Sequence, residues 1–361
     1  MDIMIYGAQA IALGAYKALK KLYPVRQVSC FLVSSLKDNA PVLCDLPVRE
    51  IGEFAGTLTP DDKKNTEILI AAPENVMNEI ETTLEEYGFW CHVRLTSLRW
   101  AELMRCYYAS EGKYVPLAAL PVGFHKPDIH MFIAKFYRDK PLKSEYQTPD
   151  WMQSIQVGAA LCMERVADIP DCMGDNISAK NVNYSELTAL YWIWKNRLVG
   201  KTAGGVEEYY GLSHYRRIME LSADDILKLA DNDVDVVLPY PMPYEPDIEE
   251  HHKRYLAESD WNVLRLALAE LQPEYAKVFP GILKQQYFYN YNIILAKKSV
   301  LAAYCEWLFP ILERVEELSV PKGSERQDRY IGYMGETLET LYFMHNRDRL
   351  NIVHTGCRFL T

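Results

Sequence analysis

The stretch Tyr209–Met219, YYGLSHYRRIM, is where the fold of this chain is decided. Its first residues, with Glu208 ahead of them, are apolar and aromatic without polar alternation, the pattern of a strand buried on both faces. The run then ends in His214, Tyr215, Arg216 and Arg217. In a sheet of parallel strands the C-terminal strand ends open onto the crevice that binds ligands. If EYYGLS is such a strand, an imidazole and two guanidinium groups stand at the mouth of that crevice. A guanidinium fork matches phosphate oxygens, and an Arg pair neutralises a departing diphosphate. The plainer alternative ties one Arg to Asp224 or Asp225 and leaves the other in solvent.

Outward from this stretch the second half of the chain keeps an α/β rhythm. IHMFIAKF, SIQVGAAL and VDVVLPYP read as strands, and YFYNYNIILA leads as a strand into the helix KKSVLAAYCEWLFPILERVEEL. NYSELTALYWIWKN places Leu187, Leu190, Tyr191 and Trp194 on one helix face, with Asn183 and Glu186 spaced as a capping box. Ser222 and Asp225 repeat that spacing, and SERQDRYIGYMGETLETLYFMH is a last long helix. The first hundred residues alternate in the same way: DIMIYG, QVSCFLV and TEILIAAP as strands, QAIALGAYKALKKLY and ENVMNEIETTLEEYGF as helices, with PVLCDLPVREIGEF as a connection. Strands alternating with helices imply a mostly parallel sheet with helices on both faces. The Pro- and Gly-rich segment 112–128 reads as a linker between a domain at 1–111 and a larger one at 129–361.

Composition excludes several classes. The net charge of -10 argues against nucleic acid as a partner. Eight Cys without a C-x-x-C pair read as reduced thiols, not a zinc site or disulfide frame. No apolar run approaches a membrane span, and the N-terminus lacks the features of a signal peptide. The chain is therefore expected in the cytoplasm, at the inner face of the plasma membrane if its acceptor is lipid-linked. Gly7 lies at a strand-to-helix turn, but Gln9 and Ala12 stand where a dinucleotide fingerprint has its second and third glycines. Together with the missing acid after FLVSS, this argues against NAD.

The layout of residues 1–110 resembles the Rossmann-like domains attached to sugar-nucleotide-modifying enzymes, among them the front ends of sialic-acid-type and bacillosamine acetyltransferases. Farther along, DNISAKNVNYSELTALYWIWKN, YYGLSHYRR, VVLPYP, HH…SDW, YNIILAKKSVLAAYCEWLFPIL and RYIGYMGE follow in order. They resemble the glycosyltransferase-like domain of unknown function encoded in bacterial capsular and exopolysaccharide loci, over residues 129 to about 345. The resemblance implies a GT-A-like fold and transfer of a hexosyl group, galactofuranosyl in some relatives, from a nucleotide-diphosphate sugar to a glycan or lipid-linked glycan. A non-catalytic module that binds nucleotide sugar or glycan is the alternative.

A GT-A enzyme carries Asp-x-Asp where this chain has HYRR, to hold a divalent metal on the diphosphate. Arg216 and Arg217 supply that charge here, while DVD (Asp233–Asp235) opens a strand at the wrong sheet edge. His214, with His354, is the candidate ligand if Mn or Mg is used; no other cofactor is expected. An inverting transfer needs a carboxylate base. Asp260 and Glu336 are the candidates: the family pattern has a glutamate at Glu336, though Thr337 replaces its usual following Arg. Asp175, Asn176, Asn181, Tyr184 and Glu186, in the amide-rich loop and helix start, are expected to hold the donor, with His214 and Tyr215; His252 falls on the acceptor side. Tyr240 and Tyr244 offer a sugar platform, or ordinary loop packing.

Overall fold

The computed structural model describes residues 3–143, 146–200 and 206–360; residues 1, 2 and 361, at the outer bounds of the two expected domains, lie outside it. Strands Ile3–Tyr6, Val28–Val33, Leu46–Glu50, Glu67–Ile70 and His92–Arg94 form a parallel sheet, with Val42–Leu43 added antiparallel at one edge. The period-2 alternation of strand side chains sorts this core into two layers. Ile5, Phe31 and Val33 meet helices Ala10–Leu22 and Ser97–Glu111. Tyr6, Leu32, Ile68 and Ile70 meet helices Ile51–Gly56 and Met77–Glu86. The segment PVLCDLPVREIGEF, expected as a connection, thus supplies a strand pair and a helix. Cys44 and Asp45, both at positive φ, form the tight turn that lets it fold back.

The larger sheet runs Ile169–Pro170, Met152–Gln156, Asp128–Lys135, Glu208–His214, Ile294–Lys297, Val236–Pro239, Ile352–Thr355 and Val115–Pro116. Of these eight strands, only Ile294–Lys297 runs against its neighbours. Glu208–His214 is central, paired from Glu208↔Asp128 to His214↔Ala134 on one side and from Tyr209↔Lys297 to Leu212↔Ile294 on the other. Gly211 is required there: a Cβ would lie 2.3 Å from the Ile294 carbonyl oxygen. One face is covered by helices Leu187–Arg197, Glu258–Leu271, Lys298–Leu318 and Tyr330–His345. The other packs on helix Ala223–Asp231, which opens with the expected Ser222–Asp225 capping box.

The 112–128 segment crosses between the sheets, and its Val115–Pro116 pairs with Val353–His354. The two halves also share a tyrosine cluster. Tyr107 Oη lies 2.9 Å from Tyr287 Oη, Tyr108 donates to the Pro241 carbonyl at 2.5 Å, and Tyr240 stacks on Tyr108. No helix among the described residues is long and apolar enough to cross a membrane.

Two local expectations are corrected. Residues 183–197 are not one capped helix: Asn181–Tyr184 ends at Ser185, whose φ of 50° breaks the run before Leu187–Arg197 begins. Asn183 instead donates to the carbonyls of Arg326 and Asp328, so Glu186 is free to turn inward. The strand expected from Tyr287 onward is interrupted, because Tyr291 and Asn292 adopt φ of 75° and 49°, and it resumes at Ile294.

Candidate active site

The strand Glu208–His214 delivers its end to the C-terminal rim of the larger sheet, and a cleft of about 760 Å³ opens there. After His214 the chain turns through Tyr215 and Arg216 and returns as Arg217–Met219, which pairs with Cys357–Phe359. The basic quartet is therefore held in a hairpin. Arg217 packs over the Tyr291 ring, its guanidinium carbon 3.8 Å from that centroid and 5.2 Å from that of Phe359. Arg216 lies over Tyr215, and its Nε is buried without a partner. Arg216, Arg217 and Arg138, all lining the cleft, have no carboxylate partner among the described residues. The alternative pairing with Asp224 or Asp225 does not occur: Asp225 binds Lys228 and caps its own helix.

Three helix positions form the facing wall. Arg329, Tyr333 and Glu336 fall at i, i+4 and i+7 on or beside the helix Tyr330–His345 and so project together. The small residues noted in this helix let the 181–187 segment approach: a Cβ on Gly335 would meet Leu187 at 2.6 Å, and one on Gly332 would touch Ser185 at 3.5 Å. Arg329 donates to Ser185 Oγ at 2.7 Å and lies 3.4 Å from Glu186 Oε2.

Two buried carboxyls in this wall have opposite character. Burial works against the charge on Glu186, but His214 (3.6 Å away), Arg329 and the Asn292 amide outweigh it and hold Glu186 down at about 2. Burial, and then the Glu186 charge, push Glu336 up to about 8, against the opposing Tyr291 N–H, Arg329 and Arg217. Glu336 is thus a carboxyl held close to the proton affinity useful near neutral pH. One turn on, Glu339 is 1 % exposed with neither oxygen partnered; burial, then the charges of Glu336 and Glu186, keep it protonated.

Asn181, Glu186, His214, Tyr215, Arg216, Arg217, His252 and Glu336 are brought together on this cleft. Asp175, Asn176, Tyr184 and Asp260 are not. Asp175 is tied to Asn196 and Tyr191, and Asn176 closes a local turn onto the Cys172 and Gly174 carbonyls. Tyr184 donates to Glu316 at 3.0 Å. Turn and packing chemistry accounts for these positions. Asp260 is 5 % exposed, accepts from Arg326 at 2.6 and 3.2 Å, and also accepts the Ala257 N–H. Asp260→Asn is expected to lower the unfolding free energy by about 1–3 kcal/mol in urea titration. The same variant should leave turnover by the folded protein unchanged.

His252, expected to face an acceptor, is held neutral. His252 bonds Thr337 Oγ1 at 3.1 Å, and burial, then His251, depress its pKa to about 3. Tyr244 lines the cleft with His251 stacked on it at 3.6 Å, whereas Tyr240 belongs to the tyrosine cluster between the sheets. Tyr255, 45 % exposed, stacks on Tyr333 at the rim and was not anticipated. Nor were Asn290, Tyr291 and Arg329; a helical wheel through Glu336 would have found Arg329 and Tyr333.

A divalent ion fits these residues poorly. His214 Nε2 donates to the Tyr291 carbonyl at 3.0 Å, and His354 is buried against Tyr289 Oη at 2.8 Å, outside the cleft. The one group of three clustered ligand-type side chains among the described residues, Asp128, His130 and Glu208, sits at the strand starts on the opposite rim. Asp233 and Asp235 lie on that opposite rim too, both ion-paired to Lys297.

The family model described as a domain of unknown function, DUF4422, matches residues 140–347, and the chain belongs to this family. No curated protein matches the chain. Among solved structures, the fold is similar to the apo structure of WbbM, a bifunctional glycosyltransferase, with TM-score 0.52 and 22% identity. That match covers 65% of this chain and 45% of WbbM, so the chain spans less than half of that protein's length. The shared feature is the glycosyltransferase-like α/β fold.

Proposed function

We propose that this family member is a glycosyltransferase that moves a hexosyl group, galactofuranosyl included, from a nucleotide-diphosphate sugar to a glycan or lipid-linked precursor of a cell-surface polysaccharide. Three guanidinium groups without a carboxylate partner among the described residues, facing a buried, protonatable carboxyl across one cleft, carry the reading. Arg216 and Arg217 take the place of the Asp-x-Asp–bound metal of GT-A enzymes. Fixed cations in a low-dielectric cleft stabilise the charge that develops on a leaving diphosphate, with no reorganisation at the moment of reaction.

In the proposed step an acceptor hydroxyl attacks the anomeric carbon, and the bond from that carbon to the phosphate oxygen breaks with its electron pair leaving on the diphosphate. Ionised Glu336 takes the acceptor's proton. Glu186 stays ionised, raises the proton affinity of Glu336 and anchors Arg329 and Asn292. The neutral His252 and the Tyr255–Tyr333 pair line the acceptor side, where aromatic faces suit the apolar faces of sugars.

The test is hydrolysis and transfer by purified protein across UDP-, GDP- and dTDP-sugars. Turnover of one donor class is the expected result. Thermal stabilisation by a nucleotide sugar without turnover would instead support the non-catalytic binding module, and neither response would overturn both readings.

A further inference from the structure

Asn290 and Tyr291 line the cleft within a turn whose Tyr291 has a positive φ that its residue type does not favour. Positive φ is tolerated by an Asn but unfavourable at a Tyr, and at Tyr291 it persists only where surroundings impose it. Here they do: the Tyr289 N–H donates to Thr340 Oγ1 at 3.0 Å, the Tyr291 carbonyl accepts from His214 at 3.0 Å, and Asn292 Nδ2 donates to Glu186 at 2.7 Å. This turn places Asn290 on the cleft wall, 8 % exposed. Its Nδ2 donates to Tyr244 Oη at 2.8 Å, while its Oδ1 is buried with no donor. Leaving a buried amide oxygen unmatched is unfavourable, so its retention beside a cavity points to a ligand that completes it.

We propose that Asn290 is the residue that reads a hydroxyl of the transferred sugar; this rests on the transferase reading above. As placed, the unmatched oxygen requires a donor, which an ionised phosphate oxygen is not. Turning the amide over would leave an N–H instead, and a sugar hydroxyl, both donor and acceptor, satisfies either arrangement. Asn290 directly precedes Tyr291, the ring beneath Arg217. The hydroxyl assigned to Asn290 is that of the sugar on the diphosphate placed at Arg217, and a ribose hydroxyl of the nucleotide is the competing source, which the free-nucleotide titrations distinguish. Tyr244 fixes the amide and acts as a positioning residue.

The experiment is titration calorimetry on the full chain with UDP, GDP and dTDP alone, and with UDP-galactose, UDP-galactofuranose, UDP-glucose, GDP-mannose and dTDP-glucose, alongside hydrolysis rates. Asn290→Ala is expected to keep the affinity for the free nucleotide within about twofold. It should lose about tenfold to a hundredfold in kcat/KM for the preferred donor and flatten the preference among epimeric sugars. Asn290→Ser, which retains a small polar group, serves if the Ala variant does not fold, and should lose less. Equal losses for nucleotide and nucleotide sugar, or unchanged epimer preference in both variants, overturn the assignment while leaving the transferase reading intact. Failure of the wild type to bind any nucleotide sugar removes that reading, and this assignment with it.

Discussion

Glu336→Gln is expected to lower glycosyl transfer by about 10²–10⁴-fold, the range associated with losing a positioned proton acceptor. Nucleotide affinity should change little, because the amide keeps the shape of the carboxyl. The pH dependence gives the sharper check. A base must be ionised to act, and Glu336 sits at about 8, so kcat/KM of the wild type should rise about tenfold per pH unit and level off above about 8. Glu186→Gln removes the neighbouring negative charge, so the rising limb should move to lower pH. Stability runs the other way. Because the folded pKa of Glu336 is raised, its contribution is fully present below the unfolded value of about 4.3 and is lost as pH rises through about 8. Glu336→Gln, with nothing to ionise, should therefore hold its Tm between pH 6 and 9 better than the wild type does. A pH–rate profile unchanged in Glu336→Gln would assign the base elsewhere.

Much of this site was legible because its key strand carries its own label. Seven residues without polar alternation, Glu208–His214, had to be a buried strand, and a cluster of His, Tyr and Arg at its end had to meet the rim of the sheet. The place of Glu336 on the cleft was read from the family pattern and from the small residues beside it, which do admit the 181–187 segment. The misreadings share one physical origin. Asn183 with Glu186 has the letters of a capping box, yet the left-handed Ser185 turns Glu186 into the cleft, where His214, Asn292 and Arg329 reward its charge. The YNYN turn reads as strand by propensity, and only tertiary hydrogen bonds hold it otherwise. Asp175, Asn176 and Asp260 drew attention as polar residues near helix starts, and each is consumed by local turn, cap or ion-pair chemistry. Local pattern predicts partners within a few residues. The cleft is built from partners 50 to 150 positions apart, as in the Arg329–Ser185 and Asn292–Glu186 bonds.

Arg217→Ala should reduce donor turnover more than any other cation replacement in the cleft, by about 10²–10³-fold in kcat/KM. Arg217 differs from Arg216 in its closer packing: its guanidinium lies 3.8 Å from the Tyr291 centroid and also within 5.2 Å of Phe359, contacts that favour its position before a diphosphate arrives. Preorganised charge of that kind acts on the transition state without further ordering. Arg217→Lys should not restore the rate, since an ammonium cannot offer a planar fork. The decisive comparison is with binding. Loss of one charge-assisted hydrogen bond weakens UDP affinity by about tenfold, at about 1.5 kcal/mol. A larger loss in kcat/KM than in UDP affinity measures stabilisation that appears only as the sugar–phosphate bond breaks. Equal losses in the two would make Arg217 a ground-state anchor, and the charge acceptor for the leaving group would then have to be Arg216 or Arg138, the other two guanidinium groups in the cleft without a carboxylate partner among the described residues.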